Sequence, residues 1–207
     1  MSLFDLNGRV AIITGGNGGI GLGMAMGLAS SGASIAIVGR NSEKNKTASK
    51  KLEATGANVI AIEKDVTNDL AGTEVATEVQ NKFGRIDILI NNAGSNIRKR
   101  PEDLSLDEFR WVQDTNLTSA FVFSQAMYPH FKKVGGGKII NIGSMYSLFG
   151  GPVSTAYSVS KGGIVQMTKS MAAAWATDKI QVNAVLPGGI DTEIPRTARE
   201  QINGLYE

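Results

Sequence analysis

The sequence predicts an α/β fold in which one parallel sheet is doubly wound, with helices on both faces. Two observations carry this reading. Short β-branched runs recur along the chain, and helix-length stretches with amphipathic spacing separate them. A third observation marks where function lies, because several strands run out into glycine and small polar residues. The strands are expected at 10–13, 34–38, 58–63, 86–90, 138–142 and 180–185. Each is mostly apolar and bounded by Gly, Asn or charged residues, as strands covered on both faces are. The helix at 19–30 is small and apolar, and the one at 42–54 opens on Ser42 as an N-cap. The helix at 68–83 carries Val75, Val79 and Phe83 on one face and stops at Gly84. The stretch 106–131 is long for one globular helix and reads as two. A last helix is expected at 157–177. Crossovers between parallel strands are right-handed. No linker or low-complexity segment interrupts the chain, so residues 1–207 read as a single domain.

Composition excludes several classes. The chain holds 21 Lys and Arg against 19 Asp and Glu, a net charge of +2. It has no Cys and a single His, His130. That removes a disulfide scaffold, a thiolate metal centre, a thiol nucleophile and a His cluster, so no metal is expected. No basic stripe with interleaved aromatics is present, which argues against nucleic acid. The longest apolar runs are four to five residues, too short to cross a bilayer. The N-terminus lacks a charged start followed by an apolar run. A cytoplasmic protein with a small-molecule substrate and no membrane partner is the expectation.

In such sheets ligands bind beyond the carboxyl ends of the strands. The first strand runs into Thr14-Gly-Gly-Asn-Gly-Gly-Ile-Gly21. Gly15 permits the tight turn, Gly19 lets backbone approach a pyrophosphate, and Gly21 lets helix and strand pack closely. Asn17, Gly18 and Ile20 complete the loop. A strand before it and a helix after it make it a Rossmann-like dinucleotide loop. No Lys-Ser/Thr pair follows, so it is not a P-loop. A carboxylate at the end of the second strand would select NAD. Here that strand ends Gly39-Arg40-Asn41 with no acid, and Arg40 can pair with a 2′-phosphate. NADP is therefore expected over NAD. Asp65, after the third strand, is placed to accept from the adenine amino group or to cap a helix.

Tyr157 and Lys161 are four apart on a predicted helix and share one face. An ammonium beside a phenol lowers its pKa, which suits proton transfer at an alcohol or carbonyl oxygen near neutral pH. Ser144, after the fifth strand and thirteen residues before Tyr157, can hydrogen-bond the same oxygen.

With these residues the chain resembles a short-chain dehydrogenase/reductase. The resemblance is carried by the glycine loop, Asp65-Val66, Asn91-Asn-Ala-Gly94, Asn116, Ser144, Tyr157-x-x-x-Lys161 and Pro187-Gly188. It implies Tyr157 as acid/base, Ser144 as positioner of the substrate oxygen, and Lys161 on the nicotinamide ribose. It implies that Asn116, by its residue type alone only a polar residue at a helix kink, holds a water that links Lys161 to solvent. Asn41, Asp65, Val66, Asn92, Ala93 and Gly94 would line the adenosine side. Pro187, Gly188, Ile190 and Thr192 would contact the nicotinamide amide. A homotetramer or homodimer is also implied.

Within the family, residues 92–100, 114–121 and 138–145 resemble the gluconate and 2-deoxygluconate type of sugar-acid dehydrogenase. Arg98, Lys99 and Arg100 can meet a substrate carboxylate or remain a solvated loop. The 3-oxoacyl-carrier-protein reductases share the same core, and a basic cluster suits an acidic carrier protein equally. A non-catalytic dinucleotide-binding regulator is the alternative of another class, against which Ser144, Tyr157 and Lys161 argue. Family members continue beyond a position like Glu207 with a further helix and a seventh strand. The substrate segment from about residue 189 accordingly reads as incomplete, which would leave the sixth strand as an edge.

Overall fold

The computed structural model describes residues 4–190. Six parallel strands, β1 (Val10–Thr14), β2 (Ser34–Gly39), β3 (Val59–Glu63), β4 (Ile88–Asn91), β5 (Gly137–Ile142) and β6 (Ile180–Val185), stand in the order β3-β2-β1-β4-β5-β6. The order reverses between β1 and β4, which places a crevice at their carboxyl ends. Thr192 and the rest of the substrate segment lie outside the described residues, among which β6 is an edge strand.

The alternation of side chains along β1 explains its unbroken apolar run. Ile12 packs with Val38, Leu89 and Phe123 on one face, and Ile13 with Ala25, Ile37 and Leu52 on the other. Helices α1 (Gly19–Ser30) and α2 (Ser42–Glu53) cover the second face. Helices α3 (Ala71–Phe83), α5 (Ser119–Lys133) and α6 (Thr155–Trp175) cover the first.

Several boundaries differ from expectation. The cap of α2 is Asn41, whose side chain accepts from the Lys44 N–H at 2.9 Å, and Ser42 is already helical. Helix α3 starts three residues later than expected because Asn68 accepts from Leu70 N–H and spends those residues in a turn. The long stretch gives two α-helices, as its length suggests, but joined without a break. Helix α4 (Leu106–Gln113) runs into α5 through one π-helical turn, Asp114–Thr118.

A buried polar chain fixes α5 and α6 to the strands that lead to the crevice. Asn91 Nδ2 donates to Asn141 Oδ1 at 2.8 Å and to Ser124 Oγ at 3.0 Å. Asn141 Nδ2 donates to Thr168 Oγ1 on α6 at 2.9 Å. These bonds tie the helix that bears Tyr157 and Lys161 to the strand that precedes Ser144.

Candidate active site

The crevice rim begins at Thr14. Its Oγ1 donates to the Ile90 carbonyl and accepts from Asn92 N–H at 3.0 Å and Ala93 N–H at 3.1 Å. Asn92 Nδ2 donates back to the carbonyls of Thr14 and Gly15 at 3.0 and 3.1 Å. The glycine loop and Asn92–Ala93–Gly94 are thereby one unit. Gly15 has φ +62°, and a Cβ there would lie 2.9 Å from Asn92 Nδ2; one on Gly21 would lie 2.5 Å from the same atom. Only glycine fits either position.

Helix α1 then opens at Gly19 with no side-chain cap and no acid in its first turn. By contrast α2 is capped by Asn41 and α4 by Ser105. The first N–H groups of α1 are left without a side-chain acceptor, and Gly18 just before them faces open space. Ile20 lies half-buried in that first turn. This donor set fits the diphosphate of a dinucleotide.

At the other end of the crevice, Ser144 follows β5. Its N–H donates to Ser147 Oγ at 3.1 Å, and Ser147 Oγ donates to the Lys161 carbonyl at 2.7 Å. The loop is so fastened to α6. The Met145 N–H donates to the Pro187 carbonyl at 3.1 Å, which brings Pro187 and Gly188 beside Ser144. Ile190, next along, is exposed.

Lys161 is 4% exposed, and its Nζ donates to the Ile142 carbonyl at 2.7 Å. Burial pulls this ammonium down to about 8. The same Nζ stands 5.7 Å from the centre of the Tyr157 ring. The expectation that Lys161 sets the phenol low is not what this geometry delivers. The ammonium is turned to a backbone carbonyl, and burial pushes the Tyr157 phenol up. Ser144, in hydrogen-bonding reach, and the charge of Arg98 oppose that rise, while Tyr146 adds to it.

Asn116 sits in the π turn, 2% exposed. Its Oδ1 accepts from Ser95 N–H at 2.7 Å, and its Nδ2 donates to the Ser95 carbonyl and to Ser160 Oγ, both at 2.9 Å. A Cβ on Gly94 would lie 3.3 Å from Asn116 Oδ1 and 3.5 Å from Lys161 Nζ, so the three residues meet at one point.

At the exits of β2 and β3, Arg40 and Asp65 leave adjacent strands and face each other across 3.6 Å. Burial would raise the Asp65 carboxyl, but the N–H and hydroxyl of Thr67 and the charge of Arg40 hold it low. Val66 buries its side chain in the core at the exit of β3. Of the three basic residues after β4, Lys99 pairs with Glu108 at 2.6 Å and Arg100 with Glu102 at 2.5 Å. Arg98 is half-buried, pairs with no acid among the described residues, and acts on the Tyr157 phenol.

The sequence matches the short chain dehydrogenase family over residues 9–203. The chain belongs to that family. It is 38% identical over 195 residues to the 2-dehydro-3-deoxy-D-gluconate 5-dehydrogenase of Dickeya dadantii, covering 93% of this chain and 76% of the relative. It is 37% identical over 192 residues to the gluconate 5-dehydrogenase of Gluconobacter oxydans, covering 93% and 75%. Among solved structures, a Beutenbergia cavernae protein provisionally named NAD(P) dependent gluconate 5-dehydrogenase, with NADP bound at low occupancy, superposes with a TM-score of 0.90. It shares 34% identity, over 96% of this chain and 79% of that one. This short-chain dehydrogenase is a nicotinamide-dependent oxidoreductase.

Two residues at its site escape the sequence reading. Ser160 ties Asn116 to the carbonyl of Tyr157 at 2.8 Å. Asn45 is a buried polar residue on the inward face of α2, in line with Ala48 and Leu52. In both cases the available signal was a polar residue at a helical position that should be apolar.

Proposed function

We propose that this short-chain dehydrogenase interconverts a secondary alcohol and a ketone on a sugar acid, using NADP(H) in preference to NAD(H). The observation that supports the substrate class is Arg98, a half-buried guanidinium without an acid partner among the described residues, close enough to bias the Tyr157 phenol. A guanidinium without an acid partner can take a substrate carboxylate by a charge-assisted fork. The names of the two curated relatives support the same class.

A bound nicotinamide dinucleotide supplies hydride donation or acceptance at its nicotinamide ring. The remaining work falls to the chain. Gly15, Gly19, Gly21 and the uncapped start of α1 hold the diphosphate. Asn17, Gly18, Ile20, Asn41, Asp65, Val66, Asn92, Ala93 and Gly94 line the adenosine half. Lys161 holds the nicotinamide ribose, and Pro187, Gly188, Ile190 and Thr192 meet the amide. Tyr157 gives or takes the proton at the substrate oxygen, which Ser144 orients by its hydroxyl. Asn116 keeps the Ser95 backbone and α6 in register and holds the water that links Lys161 to solvent. A ketone that becomes an alcohol gains its proton from Tyr157, and an alcohol oxidised loses it there.

Arg98→Met is expected to lower kcat/KM for a keto-hexonate by about 10²-fold or more, the loss of a desolvated charge pair. The same change should alter kcat/KM for an uncharged ketose by less than about threefold, within ordinary packing effects. Equal losses on both substrates would remove the carboxylate assignment. Acetoacetyl thioesters serve as the control for carrier-protein chemistry and should turn over poorly.

The cofactor preference rests on Arg40 and on the missing acid at the end of β2. Arg40→Ala should weaken NADP by roughly 10–100-fold in a fluorescence titration and NAD by less than about twofold. A parallel loss for both dinucleotides would end that argument. Exposed Trp111 and Phe121 on α4 and α5 support self-association, as a homotetramer or homodimer. No helix among the described residues is long and apolar enough to cross a membrane.

A further inference from the structure

The end of β2 is shaped by a contact that the glycine loop reaches across to make. Asn45, 4% exposed in the first turn of α2, donates through Nδ2 to the Gly39 carbonyl at 2.9 Å and to the Ile62 carbonyl at 3.5 Å. Two carbonyl acceptors fix its amide, so its Oδ1 must face the other way. There it accepts from Asn17 Nδ2 at 2.7 Å. Asn17 is thereby held over Gly39, the last residue of β2 and the one before Arg40. A Cβ on Gly39 would collide with Asn17 Nδ2 and lie 2.9 Å from both Asn17 Cγ and Asn45 Oδ1. Gly39 is therefore glycine because the space above it is taken by the Asn17 amide, whose departure would leave the buried Asn45 Oδ1 without its donor.

We propose that Asn17 and Asn45 form a latch that bars any side chain, a carboxylate above all, from the last residue of β2, and so reserves the adenosine ribose for Arg40 and a 2′-phosphate. The inference rests on the reading of the site as an NADP site. It adds that selectivity is enforced by exclusion as well as by attraction, which is how sharp discrimination is built. An acid introduced at position 39 cannot act on the ribose while Asn17 is in place. With Asn17 gone, the same acid has room to accept from the ribose hydroxyls.

The test is a cycle of three variants: Gly39→Asp, Asn17→Gly, and the two together. Melting temperature is recorded for each, and affinities for 5′-AMP and for adenosine 2′,5′-bisphosphate are measured by calorimetry. Gly39→Asp alone should lower the melting temperature and weaken both nucleotides. The double variant should recover the melting temperature. Relative to Asn17→Gly, it should shift the affinity ratio toward 5′-AMP by about tenfold or more, a coupling of the size expected for residues in contact. If Gly39→Asp alone melts like the parent and shifts the ratio as far as the double variant does, the latch is refuted. A double variant with no shift in ratio refutes it equally. The parent's own preference is a separate reading. Equal affinity for the two nucleotides would overturn the NADP assignment, while the coupling between positions 17 and 39 would still decide the latch.

Discussion

Tyr157→Phe is expected to lower turnover of a keto-hexonate with NADPH by about 10³-fold or more, the upper range for loss of a general acid. Affinity for the dinucleotide should change by less than about twofold, because the aromatic ring stays and only the hydroxyl goes. The phenol sits half-buried between Ser144, Arg98 and Tyr146. Burial pushes it up, so Tyr157 remains protonated at neutral pH and is poised as the acid of ketone reduction. In the other direction it must lose that proton, and oxidation should therefore gain speed as the pH is raised. A turnover within tenfold of the parent would move the acid/base role to another group.

Lys161→Met should remove most activity and yet stabilise the protein at neutral pH. The ammonium is buried with one backbone carbonyl as its acceptor, and its drop from 10.5 to about 8 costs the fold about 3 kcal/mol below that pH. The sign follows from proton counts. Between about pH 8 and 10.5 the unfolded chain holds the proton that the folded chain has lost, so parental stability rises with pH through that window. A neutral thioether of similar length removes the cost and forfeits one hydrogen bond. The variant should melt several degrees higher at pH 7, at roughly 2–4 °C per kcal/mol for a chain of this size. The advantage should shrink as pH climbs toward 10.5. Turnover should fall by about 10²–10³-fold. A variant that melts lower than the parent at pH 7 would show that the carbonyl contact outweighs desolvation. Such a charge, retained against the stability of the fold, is what a functional residue looks like.

Much of this was legible in sequence because it obeys local rules. Helix α1 and strand β6 fall where periodicity places them. The strand exits carry the rim because loops there need little bulk. Strand β4 begins at Ile88, two residues into the expected run; Asp87 just before it still bonds Val10 and Lys138 through its backbone, while its carboxylate takes Arg9, Arg85 and the Val10 N–H. The π turn at Asn116 left no periodic trace, since one extra residue in a long helical run is smaller than the scatter of the pattern.

Site chemistry was legible as residue types and not as pairings. Three cations after β4 look alike in sequence. Only the fold shows that Glu108 and Glu102 take Lys99 and Arg100 and leave Arg98 without an acid partner among the described residues. The relation of Lys161 to Tyr157 was read from a spacing of four residues, which fixes a shared helix face but not where an ammonium points. The Ile142 carbonyl decides that. Asn17 was visible as a loop residue. Its role over Gly39 depends on Asn45, whose reach across to the glycine loop and to two strand carbonyls no local pattern encodes.

The most direct test follows a labelled hydride. The protein is supplied with NADPH carrying deuterium at the transferable nicotinamide position and with a keto-hexonate, and the product is examined for the label. Deuterium on the new carbinol carbon, formed by the parent and lost together with turnover in Tyr157→Phe, is the predicted result. Oxidation of NADPH without label in the product, or no reaction across hexonates and polyols with either dinucleotide, would contradict it.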